Sequence, residues 1–575
     1  ITSRRFTWVT AVMIVIIAAG AVLRLADLSH LPPEMTSDHV EKLLDSQRVL
    51  DGTTQIFFQN NGGREPLQMY VMAAVVGVIG LPMDFDTLKL VTALEGILSI
   101  PVMFWFGREL AGRENRRLGL LVGLALAGLV AVSYWHIALS RLALRIVYTP
   151  AITALVFIYL TRALRDNRRL DWINTGLALG VGLYMYQAVR MLPVVIVIGL
   201  LLALALRARS WAQRTQYVVN FLTLVVVAFA VFVPLFRFSY DYPEDFWRRT
   251  SGRLFGDAIT QTTDADGNLV ARDPTLDELW TAFEANLPVL TQNIRNALLM
   301  YQWKGDVAWI NGAPNKPAFD AASGALLMVG LGGWLAWMLR RRDPVLWLIP
   351  PAIFVMILPS ALAIAFPIEN PSATRMSGTL PEVYLLAAFA FGLLLLGILR
   401  VIGDQRRVAV ALAGALFTGL LAFSAVANAA VYFDAFRQSY LISSKPYSDA
   451  GTVVRQFALS EGGYGNAFLV AYPYWWDHRA VGIEGGRIDW PNGIVSRDEI
   501  PTFLRDAERR TDSYRLDVNK PLLFIYSPDD VDTELRLRLW FPRGMAQAIQ
   551  SYQREDTYRL FRVPALGVSG FVTFL

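Results

Sequence analysis

The sequence contains no cysteine among its 575 residues. This absence excludes disulfide bonds, thiolate metal sites and cysteine nucleophiles. Charged residues are also scarce, at 18% of the chain, whereas a soluble domain carries about 25%. P-loop, zinc-binding and serine-hydrolase motifs are missing as well, which argues against an ATP-driven pump. The low charge content points away from a soluble protein.

Apolar residues, by contrast, make up 54% of the chain, and the mean hydropathy is +0.39. A membrane-spanning helix needs about 20 mostly apolar residues. The segments that meet this requirement are Trp8–Leu28, Thr87–Phe106, Leu118–Trp135, Val147–Leu164, Trp172–Ala188, Met191–Leu206, Tyr217–Phe236, Ala321–Met338, Val345–Ala365, Leu380–Leu399 and Val408–Val431. The sequence therefore predicts a polytopic α-helical membrane protein with about eleven transmembrane helices. Its net charge of +5 does not indicate a nucleic-acid partner, because the arginines cluster in short loops between apolar segments.

The arginine-rich short loops predict the orientation in the membrane. With eleven spans and a cytoplasmic amino terminus, every strongly basic short loop falls on the cytoplasmic side. These loops are Gly107–Arg117, Arg165–Asp171, Arg207–Gln216, Arg340–Asp343 and Arg400–Arg407. We therefore expect a multi-pass protein of the plasma or inner membrane whose carboxyl terminus is extracytoplasmic.

The apolar segment Leu67–Leu81 is too short for an ordinary span, because a helix of this length covers only about 22 Å. Counting it as a crossing would put all the basic loops outside while Arg4 and Arg5 stayed inside. We predict that it lies in, or dips into, the outer membrane interface.

This topology divides the chain into two domains. Residues 1–432 form the transmembrane domain with external loops at 29–86 and 237–320, and residues 433–575 form an extracytoplasmic domain. Trp247, Phe255 and Trp280 in the second loop suggest helices on the membrane surface. In the tail, the apolar patterns predict helices at Asp449–Leu459 and Arg497–Arg509 and strands at Ala467–Tyr472, Leu522–Tyr526 and Tyr558–Val563. The tail is therefore expected to be a small α/β domain.

The run from Asp264 to Asn268 looks like the start of a calcium-binding loop. However, Leu269 occupies the position where such loops require glycine. We predict a hairpin turn there.

Three acidic residues follow the first span at a helical spacing. Asp38, Glu41 and Asp45 occupy positions i, i+3 and i+7 on one face of an amphipathic helix. A carboxylate at Asp38, next to the end of the first span, can take a proton from an acceptor hydroxyl. For Glu41 and Asp45, a solvated acidic face is an equally good interpretation.

The sequence Gly63-Arg64-Glu65-Pro66 precedes the short apolar segment, and Pro66 fits the first turn of its helix. The free N–H groups of a helix amino terminus, together with Arg64, can hold a phosphate. The alternative is a capped turn with Arg64 and Glu65 in solvent.

Arginines at the outer ends of the spans run against the positive-inside bias. Arg141, Arg145, Arg190 and Arg375 flank segments rich in aromatic residues such as Tyr186. They can form a basic rim for an anionic lipid head, such as a polyprenyl phosphate. Snorkelling to ordinary phospholipid head groups is the other interpretation.

Together these features resemble the GT-C glycosyltransferases of the protein O-mannosyltransferase and aminoarabinose transferase type. The shared pattern is an Asp after the first span, a basic residue and proline before a short helix ending in Gly, a basic loop after the second span, and Ser140-Arg141-Leu142-Ala143-Leu144-Arg145 after the third. The likeness is best over residues 8–200, fair around Gly312–Pro317 and Pro371–Pro381, and slight in the tail.

The resemblance implies an inverting transfer of a hexosyl or pentosyl group from a polyprenyl-phosphate donor to an acceptor at the outer face. It makes Asp38 the catalytic acidic residue and Arg64 the phosphate ligand, with Arg141, Arg145, Tyr186, Arg190 and Arg375 as further substrate-binding candidates. The acidic pair of the family is Asp38-His39 here, and the second Asp that many members carry after the third span is missing. Glu65 is the candidate substitute, and no metal or other cofactor is expected because members of this branch commonly work without one.

Two other functions stay open at this point. A non-catalytic scaffold subunit with the same fold is compatible with the missing second acidic residue. A lipid-glycan transporter would favour polar residues deep within spans, whereas the charges here crowd at one face. The sequence does not identify the sugar, or whether the acceptor is a protein, a lipid or a glycan.

Overall fold

The computed structural model describes residues 7–113, 115–255, 261–263, 269–272, 274–402, 406–472, 474–552 and 558–574. Arg4, Arg5 and the predicted turn at 264–268 lie outside these residues. The strands on either side of that turn, Gln261–Thr263 (β1) and Leu269–Ala271 (β2), pair antiparallel.

Helices dominate the described chain. Helices α1 to α11 are Trp8–Leu25, Ser37–Leu50, Leu67–Ile79, Phe85–Ala111, Arg116–Val132, Tyr134–Arg141, Tyr148–Asp166, Arg169–Gly182, Leu192–Leu206, Trp211–Asp241 and Pro243–Phe255. Helices α12 to α18 are Leu276–Ala285, Leu287–Leu299, Ala321–Arg340, Pro344–Ala361, Leu380–Val401, Arg406–Ala430 and Arg437–Ser443. Helices α19 to α23 are Tyr447–Ser460, His478–Glu484, Ile500–Glu508, Val531–Trp540 and Gly567–Phe574.

Nine helical segments among the described residues are long and apolar enough to cross a membrane. A tenth is the pair α5 and α6, which is bent by 58° at its break. These segments coincide with ten of the eleven predicted spans, and the protein is a polytopic helical membrane protein.

The one predicted span without a matching long helix, Trp172–Ala188, corresponds to α8, which has only 14 residues. A helix of this length covers about 21 Å, less than the thickness of the hydrocarbon core. Its apolar sequence continues past Gly182, but the backbone turns there and re-forms as a 3₁₀ helix at Gln187–Met191. The short segment predicted at Leu67–Leu81 is the 13-residue helix α3.

The bend between α5 and α6 is held by a buried arginine from α1. Arg24 donates from Nη1 to the carbonyl oxygen of Ala131 at 2.8 Å and from Nη2 to that of Val130 at 3.2 Å. The carbonyl groups at the carboxyl end of a helix have no partners within the helix and carry partial negative charge. Arg24 therefore caps α5 within the bundle, where water is scarce.

The tail contains a five-stranded mixed sheet, and three of its strands lie where the sequence predicts strands. Its strands are Ala467–Val470 (β3), Gly493–Ile494 (β4), Leu522–Tyr526 (β5), Met545–Ile549 (β6) and Tyr558–Val563 (β7). The order is β4-β3-β5-β7-β6, with β3 parallel to β4 and β5, and β7 antiparallel to β5 and β6. Strands β3 and β5 are buried along their whole length, which explains their unbroken apolar sequences.

The chain separates into two compact units. The first comprises Ile1–Leu28, Thr54–Val71 and Lys89–Ser439, and the second comprises Ser29–Thr53, Met72–Leu88 and Tyr440–Leu575. The second unit thus combines the tail with α2 and the segment around residue 80. The domain boundary at 432/433 stays a prediction.

Candidate functional site

A tight turn places Arg64 inside the first unit. Phe58 and Arg64 form an isolated antiparallel bridge with backbone hydrogen bonds of 3.0 and 2.7 Å. Gly63 has a φ of 84°, and a Cβ there would lie 2.6 Å from the ring of Phe57, so the turn requires glycine. The buried Arg64 donates from Nη1 to the carbonyl oxygen of Asn60 at 2.9 Å. The turn therefore fixes both the backbone and the side chain of Arg64.

The neighbouring Glu65 is buried between two arginines from other segments. Arg145 donates from Nε to one carboxylate oxygen at 3.2 Å, and Arg190 donates from Nη2 to the other at 3.0 Å. Burial by itself raises the pKa of Glu65, but the charges of Arg145 and Arg190 outweigh burial and bring the pKa below its usual value of 4.5. Glu65 is thus held as a carboxylate that fixes two guanidinium groups.

Aromatic rings cover both of these arginines. The guanidinium of Arg145 lies 5.5 Å from the ring centre of Tyr186. Arg190 lies 4.0 Å from the ring centre of Phe246 and 5.7 Å from that of Trp247, both on α11. Cation–π contacts of this kind hold a guanidinium in place without neutralising its charge.

Helix α11 adds two further arginines to the cluster. Phe246, Arg249 and Arg253 follow one another at i, i+3 and i+7, so they share one face of the helix. Arg249 lies within electrostatic range of both Arg145 and Arg253. It forms no ion pair with any residue that the structure describes.

Arg253 connects the cluster to a second carboxylate. Glu369 accepts hydrogen bonds from Arg253 and from Arg375. Burial lowers the pKa of Arg253, the neighbouring charges of Arg375 and Arg249 lower it further, and Glu369 offsets part of this. Burial raises the pKa of Glu369, but its two arginines outweigh burial and lower it overall. The Nη1 group of Arg375 is buried and has no hydrogen-bond partner in the described structure.

The resulting cluster carries an excess of positive charge. Its members are the six arginines Arg64, Arg145, Arg190, Arg249, Arg253 and Arg375 and the two carboxylates Glu65 and Glu369; Asp306, outside this group, lies within electrostatic range of Arg375. Guanidinium groups that are oriented but not neutralised suit a phosphate-like anion, with which they form strong, charge-assisted hydrogen bonds. We refer to these eight residues as the arginine cluster.

Comparison with known proteins identifies the fold. No protein-family model matches the chain, and no curated protein matches it by sequence. The structure of ArnT from Cupriavidus metallidurans bound to undecaprenyl phosphate is similar, with a TM-score of 0.55 at 15% identity over 96% of this chain and 98% of that one. The oligosaccharyltransferase AglB from Archaeoglobus fulgidus, in complex with an inhibitory peptide and a dolichol-phosphate, gives a TM-score of 0.50 at 10% identity over 90% of this chain and 69% of that one. The chain has a GT-C fold.

The GT-C fold confirms the fold class predicted from the sequence, a helical membrane bundle followed by a small sheet domain. Of the predicted site residues, the arginine cluster of this GT-C chain brings together Glu65, Arg64, Arg145 and Arg190, with Tyr186 stacked against Arg145. Arg375 joins them through α11, since Arg253 of that helix shares Glu369 with it.

Asp38, the predicted catalytic acidic residue, belongs to the second unit of the GT-C chain. It lies in the first turn of α2, where Thr36 and His39 form a capping box. Its side chain is half-buried, and its backbone carbonyl oxygen accepts a hydrogen bond from Nζ of Lys42 at 2.8 Å.

The interpretation of Glu41 and Asp45 as a solvated acidic face is wrong. Both side chains are buried, with 7% and 0% of their surface exposed. Glu41 accepts from Nη1 of Arg479 at 2.6 Å, and Asp45 pairs with Arg48 at 2.8 Å. The helical spacing is as predicted, but Glu41 faces the tail and Asp45 is buried rather than solvated.

The structure gives Arg141 a role as a helix cap. Its Nη1 group donates to the carbonyl oxygens of Leu23, Arg24 and Ala26, and its Nη2 group donates to that of Asp27, at 2.7 to 3.2 Å. These carbonyl groups form the carboxyl end of α1. Because the guanidinium is engaged there, we leave Arg141 out of the proposed phosphate ligands.

No group of three or more His, Asp or Glu side chains among the described residues is arranged to hold a metal ion. The metal-free reaction implied by the resemblance stays a prediction.

Arg249 and Arg253 are not among the site residues predicted from the sequence. Both lie in a segment interpreted only as a surface helix, on the strength of Trp247 and Phe255. The spacing of Phe246, Arg249 and Arg253 on one helical face was the available signal.

Proposed function

We propose that this protein is an inverting glycosyltransferase that moves a sugar from a polyprenyl-phosphate donor to an acceptor at the outer face of the cell membrane. The GT-C fold supports this proposal, and so do the two similar structures, whose bound molecules include undecaprenyl phosphate and a dolichol-phosphate. Proteins with low sequence identity share a fold without necessarily sharing a function, so the argument rests on the site.

The arginine cluster is the observation that carries the proposal. Two of its members, Arg145 and Arg190, share the single carboxylate of Glu65, and Arg249 adds a further positive charge within electrostatic range of Arg145. A lipid phosphate bound there would supply the missing negative charge. It would also be the leaving group, and fixed guanidinium groups stabilise the charge that develops on a leaving phosphate.

In the proposed reaction, Asp38 takes the proton from an acceptor hydroxyl group. The acceptor oxygen forms a bond to the anomeric carbon from the face opposite the phosphate. The bond between that carbon and the phosphate oxygen breaks, and the lipid phosphate leaves with the electron pair. Inversion follows because bond formation and bond cleavage occur on opposite faces of the carbon.

We assign Glu65 a supporting role. It is held as a carboxylate by Arg145 and Arg190, and its two oxygens point these guanidinium groups in fixed directions. Preorganised cations need no reorientation as charge develops. Glu65 would therefore tune the phosphate site rather than exchange a proton.

The donor site is tested with the matched variants Arg249→Gln and Arg248→Gln. Both residues lie on α11, but Arg248 is exposed and Arg249 belongs to the cluster. We expect native mass spectrometry with added undecaprenyl-phosphate sugar to show binding about tenfold to hundredfold weaker in Arg249→Gln, because a charge-assisted contact is lost. Arg248→Gln should bind like the wild type. Equal affinity in the two variants would place the phosphate elsewhere.

The base is tested separately with Asp38→Asn. This variant should keep its affinity for the donor and lose transfer of radiolabelled sugar to acceptors. Transfer at the wild-type rate would refute the role of Asp38. If the wild-type protein binds the donor but transfers no sugar to protein, lipid or glycan acceptors, a scaffold or a transporter is favoured.

A further inference from the structure

A buried glutamate ties the segment before α2 to the tail. Glu34 is fully buried and accepts hydrogen bonds at 2.5 Å from the hydroxyl groups of Ser448 and Tyr552. Its second carboxylate oxygen accepts from the backbone N–H of Ser448 at 3.0 Å, and its backbone carbonyl accepts from the hydroxyl of Tyr440 at 2.8 Å. All these partners belong to the second compact unit.

Glu34 depends on these neutral donors. It forms no ion pair with any described residue, and burial raises its pKa while the bonds from Ser448 and Tyr552 offset part of this rise. When a buried carboxylate loses its hydrogen-bond donors, the loss of folding free energy exceeds that of the bonds themselves, because the cost of removing the carboxylate from water is no longer offset. Moving Glu34 away from Ser448 and Tyr552 would therefore be costly, and these hydrogen bonds hold the segment that carries Glu34 in place.

A second glutamate ties α2 to another part of the tail. Glu41 accepts from Nη1 of Arg479 at 2.6 Å. The same guanidinium donates from Nε and Nη2 to the two carboxylate oxygens of Asp477, at 3.0 and 2.9 Å. Asp477 thus holds Arg479 in a bidentate geometry that presents its remaining nitrogen to Glu41.

Asp38 lies between these two anchors, four residues after Glu34 and three before Glu41. A segment this short cannot move far when both ends are fixed. We infer that Glu34 and Glu41 are positioning residues, and that the tail holds the catalytic segment in place through Ser448, Tyr552 and Arg479. This inference rests on the proposed function, because it takes Asp38 to be the base.

Positioning predicts a specific kinetic effect. A base displaced by about 1 Å lowers the rate of the chemical step by as much as a hundredfold. The donor is bound by the arginine cluster in the proposed function, so its KM should be unaffected. Loosening either anchor should therefore lower kcat and leave the donor KM unchanged.

The test compares full-length variants in lipid nanodiscs. Ser448→Ala combined with Tyr552→Phe removes both hydroxyl donors to Glu34, and Arg479→Met removes the donor to Glu41. Ser460→Ala is the matched control, because Ser460 is an exposed serine on the same helix as Ser448 and its hydroxyl donates to the carbonyl oxygen of Gln456 on that helix. Arg479→Lys is the conservative variant, since it keeps the positive charge.

Hydrogen exchange shows whether the anchors hold α2. We expect faster exchange over residues 37–50 in Arg479→Met and in the double variant, with slow exchange retained over residues 467–470, where β3 reports an intact tail. Transfer kinetics should then show kcat reduced by roughly tenfold or more at constant donor KM. Arg479→Lys should recover part of this loss, and Ser460→Ala should match the wild type.

Two results would overturn the inference while leaving the transferase intact. One is unchanged exchange over residues 37–50 in both anchor variants. The other is faster exchange there with wild-type kcat. A wild-type protein that transfers no sugar refutes the proposed function itself and, with it, the positioning role.

Discussion

Arg141, on α6, donates a hydrogen bond to the backbone carbonyl oxygen of Arg24 at 2.8 Å. The side chain of Arg24, on α1, in turn caps the carboxyl end of α5. Arg24 thus binds carbonyl groups at the end of α5, and Arg141 binds carbonyl groups at the end of α1. The carbonyl groups at the carboxyl ends of α1 and α5 accept these hydrogen bonds. This exchange of caps joins α1 to the bent pair α5 and α6.

We predict that Arg141→Lys lowers the thermal midpoint of the protein in detergent by about 1–2 °C. A lysine ammonium cannot reproduce the planar fork that reaches four carbonyl oxygens, and losing such charge-assisted bonds costs about 2 kcal/mol. Arg117→Lys, at an exposed arginine, should leave the midpoint unchanged. Equal midpoints for the two variants would contradict a capping role for Arg141.

The carboxylate of Glu65 should make the stability of the folded protein depend on pH in the acidic range. Its pKa in the folded protein lies below the usual 4.5 because of Arg145 and Arg190. The stabilisation is therefore present above about pH 4.5 and is lost as the pH falls through the folded-state pKa. We expect Glu65→Gln to lower the thermal midpoint at pH 7, and the difference from wild type to shrink as the pH falls below 4.5. A difference that stays constant with pH would argue against this ion pair.

The crossing of α14 and α16 should not tolerate a side chain at Gly330. A Cβ there would lie 1.9 Å from the carbonyl oxygen of Leu386, so the helices would have to move apart. We expect Gly330→Ala to destabilise the protein by about 1–3 kcal/mol, the usual cost of overpacking. Gly332→Ala, two residues along the same helix, is the control because a Cβ there meets nothing within 4 Å. Thermal unfolding of both variants would measure the contrast.

The absence of cysteine provides a direct test of the predicted orientation. A single cysteine at Arg116, in a predicted cytoplasmic loop, should not react with a membrane-impermeant maleimide added outside intact spheroplasts. A single cysteine at Tyr474 in the tail, which is 88% exposed, should react. The reverse labelling pattern would show that the orientation is opposite to the predicted one. As a control, disrupting the membrane should make both sites reactive.

Local sequence was enough to predict the central strands of the tail. The observed bounds of β5 and β7, Leu522–Tyr526 and Tyr558–Val563, are those predicted, because both segments are short and rich in aliphatic and aromatic residues. Hydropathy likewise located most of the spans. It overestimated the length of the helix at Trp172–Ala188, where apolar sequence continues beyond Gly182 although the helix ends there.

The site was harder to predict, for a physical reason. Glu65 and Arg64 could be singled out from their turn, but their partners Arg145 and Arg190 come from distant segments. Similarly, Glu41 was assigned to solvent as an alternative because its partner Arg479 stands 438 residues later in the chain. Local periodicity reports which residues share a face, and it carries no information about what that face meets.

The anchor at Glu34 also sets an order of events during synthesis. Ser448 follows Glu34 by 414 residues, so at ribosomal speeds the carboxylate waits roughly 20 to 80 seconds for its partner to be made. Throughout that interval α2 exists without the surface that buries it. A chain cut short before residue 448 would therefore lose more than its tail, because the upstream segment that carries Glu34 and α2 would lack the partners that bury its carboxylates.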